Sequence, residues 1–178
     1  APRVRAPSGG TVVLPPAGLK RADGSAFTGT ASVALTAIAP ATDTSLMPGN
    51  FTTTGTSTTG TPVPIESFGA INVDISDASG APLNLAAGKT STIRIPLSSR
   101  NPNPPATVPL YWFNNATGHW VEEGTATLQG TFPNQYYEGT VSHFTSWNAD
   151  FAYAFVTVTG CARDAAGAPV AGARIESD

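Results

Sequence analysis

The sequence VPLYWFNNATGHWVEE occupies residues 108–123 and has the pattern of a β-hairpin. Residues 108–113 are strongly apolar, Asn114 to Gly118 is rich in turn-forming residues, and the chain returns through His119 to Glu122. Trp112 and Trp120 occupy near-symmetric positions about this turn. If the turn is centred on Ala116, their rings lie on the same side of the hairpin as a cross-strand pair.

Short strands with the same character are predicted on both sides of the hairpin. In residues 30–38, apolar side chains alternate with smaller or polar ones, which gives the strand one firmly apolar face. Residues 19–29 are predicted to form a loop, and residues 40–64 a long, exposed connection whose threonines also suit an edge strand. Further strands are predicted at 10–14, 68–75, 83–85, 90–97, 126–128 and 136–141.

Eight to ten short strands thus precede residue 148, with turns between them. This spacing predicts an all-β fold, an antiparallel β-sandwich, over residues 1–150. Composition agrees, because charged residues make up only 12% of the chain while Gly (18) and Pro (16) are frequent. Helical spacing of apolar residues is nearly absent.

Charge and cysteine content restrict the classes of partner. The nine basic residues are scattered and the net charge is −3, so a nucleic-acid partner is not expected. No run reaches the roughly 18 apolar residues needed to cross a bilayer, so membrane insertion is not expected. The single cysteine, Cys161, cannot form an internal disulfide, and we expect it to be a small buried hydrophobe.

Residues 151–178 differ from the preceding chain. Strands are predicted at 155–160 and 170–175, on either side of a turn from Asp164 to Pro169. This phrase resembles the opening of a carboxypeptidase regulatory-like, Ig-type domain. The resemblance implies a C-terminal strand pair from an incomplete Ig-like unit, or a hairpin donated to another partner.

The main stretch also resembles a family. The segments that carry the resemblance are 66–70, 82–85, 109–113, 120–124 and 141–148. Together they are similar to the sandwich module shared by bacterial surface proteins and cartilage-intermediate-layer-type extracellular proteins, and more weakly to the ZU5 domain. The resemblance implies a secreted or cell-surface location and a structural or adhesive role.

The tripeptide His143-Phe144-Thr145 is the sharpest local signal. It is similar to the His-Phe-Ser sequence at which ZU5-type and nucleoporin self-cleaving domains are cut. The resemblance implies cleavage between Phe144 and Thr145, in which His143 deprotonates the threonine hydroxyl and that hydroxyl attacks the Phe144 carbonyl. The alternative is structural: His143 binds a loop and Phe144 fills the core.

Other candidate sites have structural alternatives as well. The aromatic residues could form a sugar-binding platform, but in a sandwich they more often fill the core; they are Trp112, Phe113, Trp120, Tyr136, Tyr137, Phe144 and Trp147. The pairs Asp74/Asp77 and Glu122/Glu123 could serve as calcium ligands or acid–base pairs, although scattered carboxylates are usually solvated. A zinc site is not expected, since only two histidines, His119 and His143, are present. No other metal and no cofactor is predicted.

Three functional hypotheses follow. The first is a non-catalytic structural or adhesive module of a larger extracellular protein, with neighbouring domains as its partners. The second is single-turnover autoproteolysis at Phe144–Thr145. The third is a filament subunit that assembles with neighbouring subunits by β-strand addition.

Overall fold

A computed structural model describes residues 1–56, 61–153 and 160–172. These residues form twelve β-strands and no helix. The strands are β1 (Arg3–Arg5), β2 (Thr11–Val13), β3 (Leu19–Arg21), β4 (Ser32–Ile38), β5 (Thr52–Thr53), β6 (Val63–Ser76), β7 (Pro82–Leu85), β8 (Ser91–Pro96), β9 (Thr107–Asn114), β10 (His119–Gln129), β11 (Tyr136–Val141) and β12 (Ser146–Ala152).

The strands belong to one continuous sheet that folds over itself as a sandwich. Its order is β1-β2-β8-β11-β10-β9-β12-β6-β7-β3, with β4 paired to the other edge of β6. All pairings are antiparallel except the short contact between β5 and β10. The predicted all-β, antiparallel sandwich is confirmed.

A bulge in β6 brings the two layers together. Asn148 of β12 pairs with Ala70, and Asp150 pairs with Ser67, so an extra residue of β6 lies between these pairs. Gly69, with φ +138°, lies in this bulge, and a Cβ there would be 2.4 Å from the Pro96 carbonyl oxygen. Only glycine therefore lets β6 approach the end of β8 this closely.

The sheet buries both of its faces in the region of β6, β9 and β12. The main core lies between the layers and contains Phe68, Ile93, Leu110, Tyr137 and Trp147. A second, smaller core lies on the opposite face of β6, β9 and β10, and its members are Ile38, Met47, Ile65, Ala70, Tyr111, Phe113 and Trp120. Both faces of these central strands are therefore apolar, as is usual for a doubly covered sheet.

The segment 40–64 supplies the cover of the second core. Met47 and Thr53 are buried, and β5 pairs with both β6 and β10. Residues 40–64 were predicted to be an exposed connection, and this prediction was wrong for the buried residues Met47 and Thr53. The predicted edge strand is present as β5. Residues 57–60 lie outside the described part of the chain.

The hairpin of β9 and β10 has its predicted turn but not its predicted tryptophan pair. Asn114 pairs with His119, so Trp120 faces Phe113 and Trp112 faces Val121. The pairing register differs by one residue from the one that would place Trp112 opposite Trp120. The two indoles therefore point to opposite faces of the sheet. Trp120 lies in the second core, whereas Trp112 packs at the edge of the main core.

Other strand predictions need smaller changes. Strands β1, β3 and β12 were not predicted. Strands β1 and β3 are only three residues long and charged, and β3 begins the segment 19–29, so the prediction of a loop was wrong for residues 19–21. The two strands predicted at 119–122 and 126–128 are one strand, β10, which is bulged between Glu122 and Thr125. Gly124, with φ +81°, allows this bulge.

The C-terminal region is described only in part. Within 160–172, Arg163 bridges to Pro169 across a turn in which the Asp164 carboxylate accepts the N–H groups of Ala166 and Ala168. Cys161 is exposed, so its predicted burial was wrong. Most of the predicted strands at 155–160 and 170–175 lies outside the described residues. Strand β12 runs past the predicted boundary at residue 150 to Ala152.

Candidate functional site

The tripeptide His143-Phe144-Thr145 lies in the short connection between β11, which ends at Val141, and β12, which begins at Ser146. Its hydrogen-bond and packing partners come from four other strands, β6, β7, β9 and β10. The three predicted site residues are consecutive, and Phe144 is the one that lies in the main core.

The His143 imidazole packs against two indoles and is partly exposed. The Trp112 ring meets it edge-on with 5.1 Å between ring centroids, and the centroid of the Trp147 ring lies 5.0 Å away, with the ring planes at 38°. The Trp147 Nε1–H also donates to the His143 carbonyl oxygen at 3.0 Å. These contacts fix both the ring and the backbone of His143.

Glu123 provides the polar contact of the imidazole. The His143 Nε2 lies 3.5 Å from a Glu123 carboxylate oxygen, and the other oxygen accepts the Ser142 hydroxyl at 2.6 Å. Burial lowers the pKa of His143 below its usual 6.5, and the Glu123 carboxylate opposes part of this shift. Burial is the larger effect, which favours a neutral imidazole at neutral pH.

Both backbone polar groups of Phe144 form hydrogen bonds with the side chain of Asn84 in β7. Its N–H donates to Asn84 Oδ1 at 2.8 Å, and its carbonyl oxygen accepts from Asn84 Nδ2 at 3.2 Å. The phenyl ring is buried in the main core. The carbonyl that a self-cleavage reaction would attack is thus held by a side-chain amide donor.

The Thr145 hydroxyl is bonded to β9 and not to His143. Its Oγ1 donates to the Phe113 carbonyl oxygen at 3.4 Å, and its own carbonyl accepts from the Val73 N–H at 3.3 Å. Among the described contacts, no hydrogen bond joins His143 to Thr145. Residues 142–145 have no positive φ, so the backbone shows no left-handed strain at the predicted scissile bond.

Acyl transfer at Phe144 needs a donor to the carbonyl oxygen and a base that is hydrogen-bonded to the attacking hydroxyl. The donor is present in this conformation, and the base–hydroxyl hydrogen bond is not. The Asn84 amide is placed where it could stabilise charge on the Phe144 carbonyl oxygen. The base and the hydroxyl, however, are not connected by the hydrogen bond that general-base activation requires. Rotation of the Thr145 side chain away from Phe113 would be the first step of any such reaction.

The aromatic candidates fill the two cores. Phe113, Trp120, Tyr137, Phe144 and Trp147 are buried, so these five rings form no exposed surface. Trp112 and Tyr136 are partly exposed, but Trp112 packs on His143 and Tyr136 lies beneath the Arg94 guanidinium. Because most of these rings are buried, they do not form the exposed platform that a sugar ring would stack on.

The carboxylate candidates have separate structural partners. Asp77 accepts Arg21 Nη1 at 2.7 Å and the N–H groups of its own turn, and the Ser79 hydroxyl and Arg21 lower its pKa to about 2. Glu122 lies 3.4 Å from the Tyr111 hydroxyl, whereas Glu123 binds Ser142. Asp74 is exposed and bonds Asn72. Neither pair points into one site.

Two polar residues of interest were not singled out from the sequence. Asn84 lies between the core residues Leu83 and Leu85, and a polar residue at such a place is the signal that could have indicated it. Asp150 is completely buried next to Asn148, whose Nδ2 donates to it at 2.6 Å, and its other oxygen has no partner within the described residues. Burial raises the pKa of Asp150 well above its usual value.

Within the described ranges, no cluster of metal-ligating side chains occurs and no helix is long and apolar enough to cross a membrane. No protein-family model, curated protein or solved structure matches the chain. The resemblances drawn from short sequence motifs therefore stay predictions.

Proposed function

We propose that the chain is a non-catalytic structural module of a larger secreted or cell-surface protein. The observation that supports this best is the bonding of residues 143–145. The Thr145 hydroxyl donates to Phe113, both backbone groups of Phe144 bind Asn84, and His143 packs against two indoles. The residues that resemble a cleavage site therefore act as a joint between β7, β9 and β12.

The test is the integrity of the purified chain. Wild-type protein and the variants Thr145→Ala and Thr145→Ser are incubated at neutral pH, and their masses are measured over days under denaturing conditions. A structural joint predicts one intact species for all three proteins. Fragments that end at Phe144 and begin at Thr145 in wild type, and disappear in Thr145→Ala, would replace this proposal with autoproteolysis.

A specific observation also favours assembly by strand addition as a second candidate. Among the described strands, β1 pairs only with β2 and β4 only with β6, so both have an unpaired outer edge. An apolar cleft of about 440 Å³ lies between these edges and is lined by Val4, Leu14, Phe27 and Val33, among others. A second copy would donate its C-terminal segment, whose described part, residues 160–172, is almost entirely exposed.

This candidate predicts oligomers that depend on the cleft. In the full chain, Ala31→Glu places a charge in the cleft, while Ala34→Glu places the same charge on the exposed face of β4. Size-exclusion chromatography with light scattering should show concentration-dependent oligomers for wild type and Ala34→Glu but not for Ala31→Glu. A monomer at every concentration would exclude strand addition and leave the structural module unaffected.

A further inference from the structure

A second cleft, lined by both polar and apolar residues, lies on the other side of β1. Its volume is about 620 Å³, and it opens where β1, the end of β4, the end of β8 and the 133–135 turn meet. Three arginines line it, together with hydroxyl and amide side chains: Arg3, Arg5, Arg94, Ser8, Ser98 and Gln135. We call it the arginine cleft.

Strand register explains why the arginines meet. Arg5 of β1 pairs with Thr11 of β2, and Thr11 pairs with Arg94 of β8, so these three residues form one row across the sheet. Arg3 is two residues before Arg5 and therefore lies on the same face. Val4, between them, points into the apolar cleft on the opposite face. The guanidinium-bearing positions are spaced by about 7 Å along β1 and about 10 Å across the strands.

The positive charge of this cleft is largely uncompensated. The chain carries a net charge of −3, yet three of its nine basic residues line one cleft. Arg94 is held in place by a 2.6 Å contact between its Nε and Glu138 and by the Tyr136 ring, whose centroid lies 4.8 Å away. Arg3 and Arg5 are exposed, and no described carboxylate lies within ion-pair distance of either. Their guanidinium groups are therefore available to an anion from outside.

We propose that the arginine cleft binds an acidic oligosaccharide. Guanidinium groups pair with carboxylates and sulfates through two parallel hydrogen bonds, and a chain of acidic sugars presents such groups repeatedly. The Ser8 and Ser98 hydroxyls and the Gln135 amide supply partners for sugar hydroxyls at the same place. The cleft size is in the range of small-ligand sites.

The aromatic environment argues against a nucleic acid as the occupant. Proteins that bind single strands combine basic grooves with exposed aromatic rings on which bases stack. The aromatic ring in this cleft, Tyr136, already has the Arg94 guanidinium over it. This site is independent of the proposed structural role, because it uses the outer face of β1, β2 and β8 and no residue of the 143–145 joint.

The experiment is a titration of the full chain by calorimetry at low ionic strength with an oligogalacturonate, a sulfated oligosaccharide, a neutral oligosaccharide and a single-stranded oligonucleotide. We expect at least one acidic saccharide to bind, the neutral one not to bind, and the affinity to fall as salt is added. The affinities for the oligogalacturonate and the sulfated oligosaccharide show whether the cleft prefers carboxylates or sulfates. Absence of binding by both acidic saccharides, or equal binding of the oligonucleotide, would overturn the proposal.

Variants then locate the binding. The double variant Arg3→Gln/Arg5→Gln should weaken binding at least tenfold, and Ser8→Asp, which puts a negative charge into the cleft, should weaken it as well. The matched control Lys89→Gln/Arg163→Gln removes two charges elsewhere and should keep the affinity within about twofold. Because Arg3, Arg5 and Ser8 are exposed, thermal midpoints should not change. An equal loss in the control would show that only net charge matters and would reject the site.

Discussion

Asn84 and Phe144 are joined by two hydrogen bonds that use both ends of one carboxamide, although sixty residues separate them in the chain. The Asn84 Oδ1 also accepts the Leu85 N–H at 2.8 Å. One side chain of β7 thereby satisfies the backbone of the connection between β11 and β12, where no strand partner is available. Buried backbone groups left without such a partner would be costly.

Replacing Asn84 with alanine should destabilise the sandwich. The change leaves the Phe144 N–H and carbonyl without their recorded partner, and the expected loss in free energy of unfolding is about 2–3 kcal/mol. Urea-induced unfolding followed by tryptophan fluorescence measures this loss. The control Asn115→Ala, at an exposed turn position, should change stability by less than about 0.5 kcal/mol. Similar losses in free energy of unfolding for the two variants would show that the bonds from Asn84 to Phe144 contribute no more to stability than contacts with water.

The titration of His143 should report its packing against the two indoles. Because burial lowers its pKa below 6.5, an NMR titration should show the His143 ring gaining its proton at a lower pH than His143 in the unfolded chain. Trp112→Ala uncovers one side of the ring and should raise the pKa. An unchanged pKa in this variant would mean that Trp112 does not exclude water from the imidazole.

The same shift has a consequence for stability. The unfolded chain binds a proton at His143 near pH 6.5, whereas the folded chain resists it, so stability is complete above that pH. It should decline as the pH falls from 6.5 through the lower folded pKa. His143→Gln should remove this component of the pH dependence, which is measured by urea unfolding at a series of pH values.

The two tryptophans of the β9–β10 hairpin should differ in their contribution to stability. Trp120 is fully buried in the second core against Phe113, at 5.2 Å between centroids, so Trp120→Ala should cost about 3–5 kcal/mol. Trp112 is only partly buried, so Trp112→Ala should cost less than about 2 kcal/mol. Urea melts of both variants measure the difference, and equal losses would contradict the inferred difference in burial between the two rings.

The sequence predicted the strands whose signal is local. Alternation in 30–38 and the turn at Asn114 to Gly118 depend on neighbouring residues, and both are present in the structure. The faces of Trp112 and Trp120 depend on a register that is fixed by one residue of the turn, and a shift of one residue exchanges the faces. The cover that Met47 and Thr53 provide depends on distant strands, so a Thr-rich segment without periodicity gave no sign of it.

The candidate site shows the same limit. The tripeptide 143–145 was visible because it is contiguous, but Asn84, which binds it, lies sixty residues away, and Glu123 lies on a third strand. Long-range pairing of this kind is set by the whole sheet and not by any local pattern. The motif therefore indicated where a site could lie, but not whether the Thr145 hydroxyl is hydrogen-bonded to the His143 imidazole.

Asp150 should make stability depend on pH in the direction opposite to His143. Its carboxyl is completely buried, one oxygen accepts from Asn148 and the other lacks a partner among the described residues, and burial raises its pKa well above 3.8. In the unfolded chain the group ionises near pH 3.8, while the folded chain retains the proton. The contribution of Asp150 is therefore fully present below pH 3.8 and is lost as the pH rises through the folded pKa.

Asparagine has the shape of a protonated aspartate but cannot ionise, so Asp150→Asn should raise the free energy of unfolding at pH 7 by about 1–2 kcal/mol and change it little at pH 4. The control Asp74→Asn, on the exposed face of β6, should show no such difference. Urea unfolding of the three proteins at both pH values provides the comparison. Destabilisation by Asp150→Asn at pH 7 would show that the buried carboxyl is ionised and that the folded protein depends on its charge.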